Sequence, residues 1–166
     1  MLSGLPPLVS PQTRLLILGS FPGVASLAAR QYYGHPRNHF WPILQAIWPS
    51  RPIDICASSY QIRSEWLLAR GLGLWDVYAS CEREGSLDSS IRSPALNDLD
   101  SLKVRCPDLA AIAHNGGESF RHAAHTRRLG LPVYRLPSTS PANASWRFER
   151  KLAAWREVFM QHGLMD

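Results

Sequence analysis

Four short runs, nearly free of polar residues, constrain the fold more than any other feature of the chain. They are Arg14–Gly19 (RLLILG), Leu74–Ala79 (LWDVYA), Leu109–His114 (LAAIAH) and Val133–Leu136 (VYRL). A strand with one wet face alternates apolar and polar residues. These runs are mostly apolar at odd and even positions alike, so both faces need cover, as in a parallel sheet between helices. Helical patterns lie between them. Phe40–Trp48 is one, with Pro42 tolerable only in its first turn. Tyr60–Arg70 is ended by Gly71, and Glu118–Leu129 by Gly130. Asn97-Asp98-Leu99-Asp100 opens a short helix with a capping residue. From Ser145 to His162, residues Phe148, Leu152, Trp155 and Phe159 form one apolar stripe, stopped at Gly163. The expected fold is α/β: a three-layer α/β/α sandwich around a central four-stranded, mainly parallel sheet. At 166 residues it is expected to be one domain, 1–166, with a Pro-rich, irregular lead-in over 1–12.

Such sheets bind ligands beyond the carboxyl ends of their strands. That rule brings three loops to one cleft: Gly19–Trp41, Asp76–Ser93 and Pro137–Ala144, with His114-Asn115-Gly116-Gly117 beside them. The net charge of +5 favours an anionic partner, nucleic acid first. Three cysteines without a CxxC pair make neither a four-cysteine cluster nor a structural zinc site alone. They read as reduced, intracellular thiols, and the expected location is cytoplasmic. No apolar run approaches a membrane span. The histidines lack HExxH spacing. His122 and His125, near Arg121, Arg127 and Arg128, read as a solvated basic face, so neither metal nor cofactor is expected.

"GSFPG" (Gly19–Gly23) is neither a phosphate-binding Walker loop nor a dinucleotide fingerprint. Its tight turn and helix start can aim backbone N–H groups at an anion or a polarised water. Ser20 lacks the GxSxG elbow of a nucleophile. "LPSTSPANAS" (Leu136–Ser145) suits a phosphate grip by O–H and N–H donors, and Asn143 or Ser145 also suits helix capping. In "YYGHPRNHFWPIL" (Tyr32–Leu44), Asn38 is a good cap for the helix that follows. Capping does not explain Tyr32, Tyr33, His35, Arg37 and His39 around it. Aromatics interleaved with cations stack on and grip unpaired bases.

"GSFPG", "YYGHPRNHFW" and "LPSTSPAN" together resemble the uracil-DNA glycosylase superfamily, most closely its hypoxanthine-DNA (deoxyinosine) glycosylase branch. The resemblance covers nearly the whole chain. It implies a cleft that accepts a base flipped from double-stranded DNA and hydrolysis of its N-glycosidic bond without lyase chemistry. The water-handling Asp or Asn of the superfamily's first motif is replaced here by Phe21, and the base-stabilising His of its second motif by Leu136. The resemblance points instead to Asn38 as the catalytic residue, with Gly19 and Ser20 beside it. The expected role of Asn38 is to orient water through its carbonyl while its NH₂ donates to base or sugar. Phe21, Tyr33, Asp76 and Asn115 form the expected base pocket. Phe21 either stacks on the base or packs below the turn. Asp76 either accepts from the N1–H of hypoxanthine, which adenine lacks, or caps the strand end. Arg37, His39, Ser138, Thr139, Ser140 and Asn143 are the expected DNA contacts, supported by Arg135 and Arg147. Pro141-Ala142-Asn143 is a weak candidate wedge. A uracil or mismatch glycosylase, and a nucleic-acid-binding module without catalysis, remain open alternatives. So does a small-molecule hydrolase using Ser20 or Ser138. A monomer is expected.

Overall fold

The computed structural model describes residues 1–166. Four parallel strands form its main sheet: β2 (Leu15–Gly19), β3 (Leu72–Asp76), β6 (Ala111–Asn115) and β7 (Val133–Leu136), in the order β3-β2-β6-β7. Every residue of β2, β3 and β6 is buried, as their unbroken apolar runs require. On one face Leu15, Ile17, Leu72, Leu74, Ala111 and Ala113 pack under α2 (Phe40–Ile47), α3 (Tyr60–Ala69) and α7 (Phe148–Gln161). On the other, Leu16, Leu18 and Ile112 meet Leu99, Leu102 of α4 (Leu102–Arg105) and Leu129. Neighbouring β2 residues therefore serve opposite layers, by the two-residue period of a strand. The α/β/α sandwich with its four-stranded parallel sheet is as expected. No helix is long and apolar enough to cross a membrane.

Several boundaries differ from expectation. The run Leu74–Ala79 is two strands, because the chain leaves the parallel ladder after Asp76. Val77 N–H donates to Gly19 O (2.8 Å) and Tyr78 N–H to Ser20 O (3.1 Å), and the chain continues as β4 (Tyr78–Glu82). A second, antiparallel sheet runs β1-β4-β5, built from β1 (Leu2–Ser3), β4 and β5 (Arg92–Leu96). The loop expected over 76–93 is thus largely an arm of this sheet. All of β5 is exposed and it holds Pro94, tolerable only on an edge. The lead-in expected to be irregular is paired at two points. Leu2 and Ser3 face Cys81 and Ser80, and Leu8 bridges to Leu74, shielding the open edge of β3. The helix expected over 118–129 is two: α5 (Gly117–Phe120) and α6 (Ala123–Arg127). Each turns a hydroxyl inward onto buried His114, Ser119 to Nδ1 (2.8 Å) and Thr126 to Nε2 (2.9 Å). Gly71, at φ 81°, ends α3 in the left-handed conformation.

Candidate active site

The carboxyl ends of the parallel strands fall level. Gly19 is in register with Asp76, and Asn115 with Leu136. The connections leave β2 and β6 in opposite directions, so a crevice opens between them. It is a cleft of about 900 Å³. Gly19–Ser26, with α1 (Val24–Ala29) at its far end, forms one wall, and residues 135–143 form the other. Tyr33, Asn38, Asp76 and Asn115 line it, and residues 86–89 overhang it.

Asp76 lies at the floor and is 5% exposed. Its Oδ2 is buried with no hydrogen-bond partner. Burial, and then the charge of Asp88, push its carboxyl up to about 7, against a smaller pull from Arg83. A Cβ on Gly19 would lie 2.5 Å from Asp76 Oδ1 and 3.3 Å from the Tyr33 hydroxyl. Only glycine lets the first strand end this close to the carboxylate.

Tyr33 sits at φ 55°, a conformation rare for a bulky residue. Two contacts hold it there: its ring stacks on Phe40 at 4.2 Å, and its hydroxyl accepts from Asn115 Nδ2 at 3.1 Å. Asn115 Nδ2 also donates to Thr139 Oγ1 (3.0 Å), and its Oδ1 accepts from Thr139 N–H (3.0 Å). The Asn115 amide is therefore committed to fixing Tyr33 and Thr139. Thr139 is 1% exposed, so its hydroxyl serves this buried network instead of facing a phosphate.

Asn38 is half-buried ahead of α2. Its Oδ1 accepts from Phe40 N–H at 2.9 Å, and no hydrogen bond engages its Nδ2. That contact identifies which amide atom is oxygen and leaves Oδ1 a second lone pair. His39 N–H donates to Thr139 O (3.0 Å), and Lys151 Nζ lies 3.2 Å from His39 Nδ1 and 3.5 Å from Ser140 O. Burial, then the Lys151 charge, lowers the His39 pKa. Arg37 is exposed beside a smaller pocket that holds His39, Trp146, Arg147 and Phe148.

Phe21 is 6% exposed. It packs with the second core and under the Arg83 guanidinium (5.3 Å), yet still borders the cleft. Ser20 donates to Asp88 Oδ1 (2.7 Å), and no histidine is bonded to it. Ser138 and Ser140 accept from Ser140 N–H and Ala142 N–H, and Asn143 Nδ2 donates to Ser138 O. The 137–143 loop is thus held in shape by its own polar groups. Leu136, where the resemblance leads one to look for a histidine, is core. His114 is enclosed, and burial lowers its pKa to about 4. A neutral ring has one N–H. Ser119 already donates to Leu18 O at 2.7 Å, so it accepts from Nδ1, and the Thr126 hydroxyl lies between Nε2 (2.9 Å) and Ala123 O (3.1 Å), which share its one proton.

Sequence reasoning missed two contributors. Lys151 falls with Trp155 and Val158 at i, i+4 and i+7 on the buried side of α7, a cation in an apolar pattern that was legible. Trp146 lies between the cleft and its neighbour, under Arg150 at 3.6 Å. The overhang at 86–89 falls within the 76–93 loop expected at the cleft, but the antiparallel β4 and β5 that carry it were not expected.

The family model of the uracil DNA glycosylase superfamily matches residues 6–159. A protein named hypoxanthine DNA glycosylase from Methanosarcina barkeri is 38% identical over 156 residues, 94% of this chain and 96% of that one. Its namesake from Methanosarcina acetivorans is 35% identical over the same shares. A solution NMR structure from Methanosarcina acetivorans, assigned to the uracil DNA glycosylases, superposes with a TM-score of 0.85. It is 33% identical and covers 97% of this chain and 98% of its own.

Proposed function

The chain belongs to the uracil DNA glycosylase superfamily, and on that footing we propose that it is a monofunctional DNA glycosylase that removes a deaminated base, hypoxanthine first, from DNA. The observation that carries the choice of a deaminated over an undamaged base is the Asp76 carboxyl at the cleft floor, whose Oδ2 has no hydrogen-bond partner. Deamination turns the ring-nitrogen acceptor of adenine or cytosine into an N–H donor. An ionised carboxylate accepts from that N–H and repels the bare nitrogen of the undamaged base. Uracil presents the same donor, so a uracil glycosylase is the second reading. The two named relatives favour hypoxanthine.

Cleavage breaks the C1′–N bond. The electron pair leaves with the base, and water adds to the sugar cation. Asn38 has no useful pKa and cannot serve as a general base. Its role in this reading is positional. Phe40 N–H fixes the Oδ1 direction, the second lone pair orients water, and Nδ2 donates to sugar or base. Tyr33, held by Phe40 and Asn115, forms the side of the base pocket, and the accessible edge of Phe21 meets the base face. Gly19 lets Asp76 approach, and Ser20 orients Asp88. Arg37, His39, Ser138, Ser140 and Asn143 lie where the flanking backbone passes, with Thr139 as their internal anchor. The enzyme is proposed to work as a single-domain cytoplasmic monomer on double-stranded DNA.

The test is alkaline cleavage of labelled duplexes carrying one inosine or one uracil after incubation with wild type and Asn38→Ala. Cutting at inosine that falls about 100-fold or more in Asn38→Ala, as loss of positioning predicts, supports the reading. Cutting mainly at uracil keeps the enzyme and overturns the choice of base. DNA binding with no cutting by wild type overturns the enzyme.

A further inference from the structure

Two large apolar side chains that line the cleft are left in water, Val24 on its wall and the larger Leu87. Leu87 is 55% exposed and stands on the cleft's overhang, between β4 and β5. Both chain neighbours are tied to the opposite wall. Ser86 Oγ accepts from Val24 N–H (2.9 Å), and Asp88 Oδ1 accepts from Ser20 Oγ (2.7 Å). Arg83 adds a third tie, donating to Pro22 O (2.5 Å) and Gly85 O (2.9 Å) while covering Phe21. With the residues on each side turned onto the GSFPG turn, the side chain between them is left outside. A leucine left more than half in water forgoes much of the gain of burial. The polar ties that hold it there are specific to this arm.

We infer that Leu87 is the wedge that enters the base stack and holds the target nucleotide extrahelical. The inference rests on the glycosylase reading above and assigns the wedge to a different loop from the one the sequence suggests. A wedge must be large, apolar and rigidly mounted, because it replaces the stacking the flipped base gives up. Leu87 meets all three conditions. The Pro141-Ala142-Asn143 turn does not. Ala142 is too small to fill a base step, and Asn143 is committed to Ser138 O. Division of labour follows from the charges. Arg37 and Arg147 stand exposed beside the 137–147 side, whereas on the Leu87 arm Arg83 and Arg92 are turned onto backbone carbonyls, with Glu84 and Asp88 between them. A phosphate backbone favours the first side and leaves the second to meet bases in the groove.

The experiment uses the full chain as wild type, Leu87→Ala and Leu87→Phe, on a duplex with 2-aminopurine next to a single inosine. Fluorescence in the first phase after mixing reports unstacking, and single-turnover cutting is followed on the same duplex and on its inosine strand alone. Expected is a fluorescence rise with wild type and little with Leu87→Ala at matched DNA occupancy. Duplex cutting falls ten-fold or more in Leu87→Ala, single-strand cutting stays within two-fold, and Leu87→Phe restores the duplex rate. Equal fluorescence and equal duplex rates in wild type and Leu87→Ala overturn the wedge while leaving the glycosylase standing. An equal loss on single strand and duplex overturns it too. A Leu87-dependent fluorescence rise without cutting by any variant supports the wedge and sinks the glycosylase.

Discussion

Asp76 and His114 are both buried near the ends of strands that flank β2, and each is denied the charge it carries in water. The direction of linkage is opposite for the two. Burial lowers His114 from 6.5 to about 4, so between those values the folded chain binds fewer protons, and stability falls as pH falls. Burial raises Asp76 from 3.8 to about 7, so the folded chain binds more protons there, and stability falls as pH rises. Between about pH 4 and 6.5 the two slopes nearly cancel. Asp76→Asn removes one of them. Relative to wild type, the variant is expected to lose about 3 kcal/mol between pH 6.5 and 4, because the His114 slope is no longer offset. Urea unfolding at half-unit pH steps checks this, and parallel curves for the two proteins refute it. The same residue sets the expected activity profile. If ionised Asp76 accepts the base N–H, excision rises with pH through about 7 in wild type, and Asp76→Asn lacks that limb.

The two motifs that carry the site belong to different elements and are pinned together by a third. His39, at the start of α2, donates to Thr139 in the loop after β7, and Lys151 of α7 reaches both His39 and Ser140. Lys151 is 1% exposed and has no carboxylate partner, which makes it an expensive choice for packing alone. Lys151→Met keeps the volume and removes the charge. It is expected to melt no lower than wild type while its single-turnover rate falls several-fold, because Asn38 and the 137–143 loop lose their shared brace. A lower melting temperature with an unchanged rate makes Lys151 a purely structural residue. Elements of this kind divide by how local their cause is. β2, β7, α2 and α7 were legible because apolar period and helix stops fix each one by itself. β4 and β5 were not, since β5 is exposed along its length, contains Pro94 and exists only because β4 is beside it. The site divides in the same way. Motif residues could be placed by topology. That Thr139 faces inward, that Asn115 is used up in holding Tyr33, and that residues 86–89 overhang the cleft are set by long-range contacts.

Across the whole molecule, a net charge of +5 is modest, and its arrangement matters more than its size. Arg37 and Arg147 stand exposed beside the smaller pocket, and Arg135 is exposed on the cleft wall. The overhang opposite carries Glu84 and Asp88, and its Arg83 and Arg92 are engaged with backbone carbonyls. A duplex laid across the cleft therefore meets its cations on one side. If those three arginines each neutralise one phosphate, log K should fall with log salt at a slope of about −3. Arg37→Ala is expected to reduce the slope by about one and weaken binding of inosine and plain duplexes alike, because a phosphate contact carries no sequence information. Leu87→Ala, by contrast, should leave the slope alone, since a wedge displaces no counterion. Fluorescence-anisotropy titrations between 50 and 200 mM salt separate the two. A slope that ignores Arg37 would place the backbone elsewhere on the surface, and the cleft would then have to receive its base from another direction.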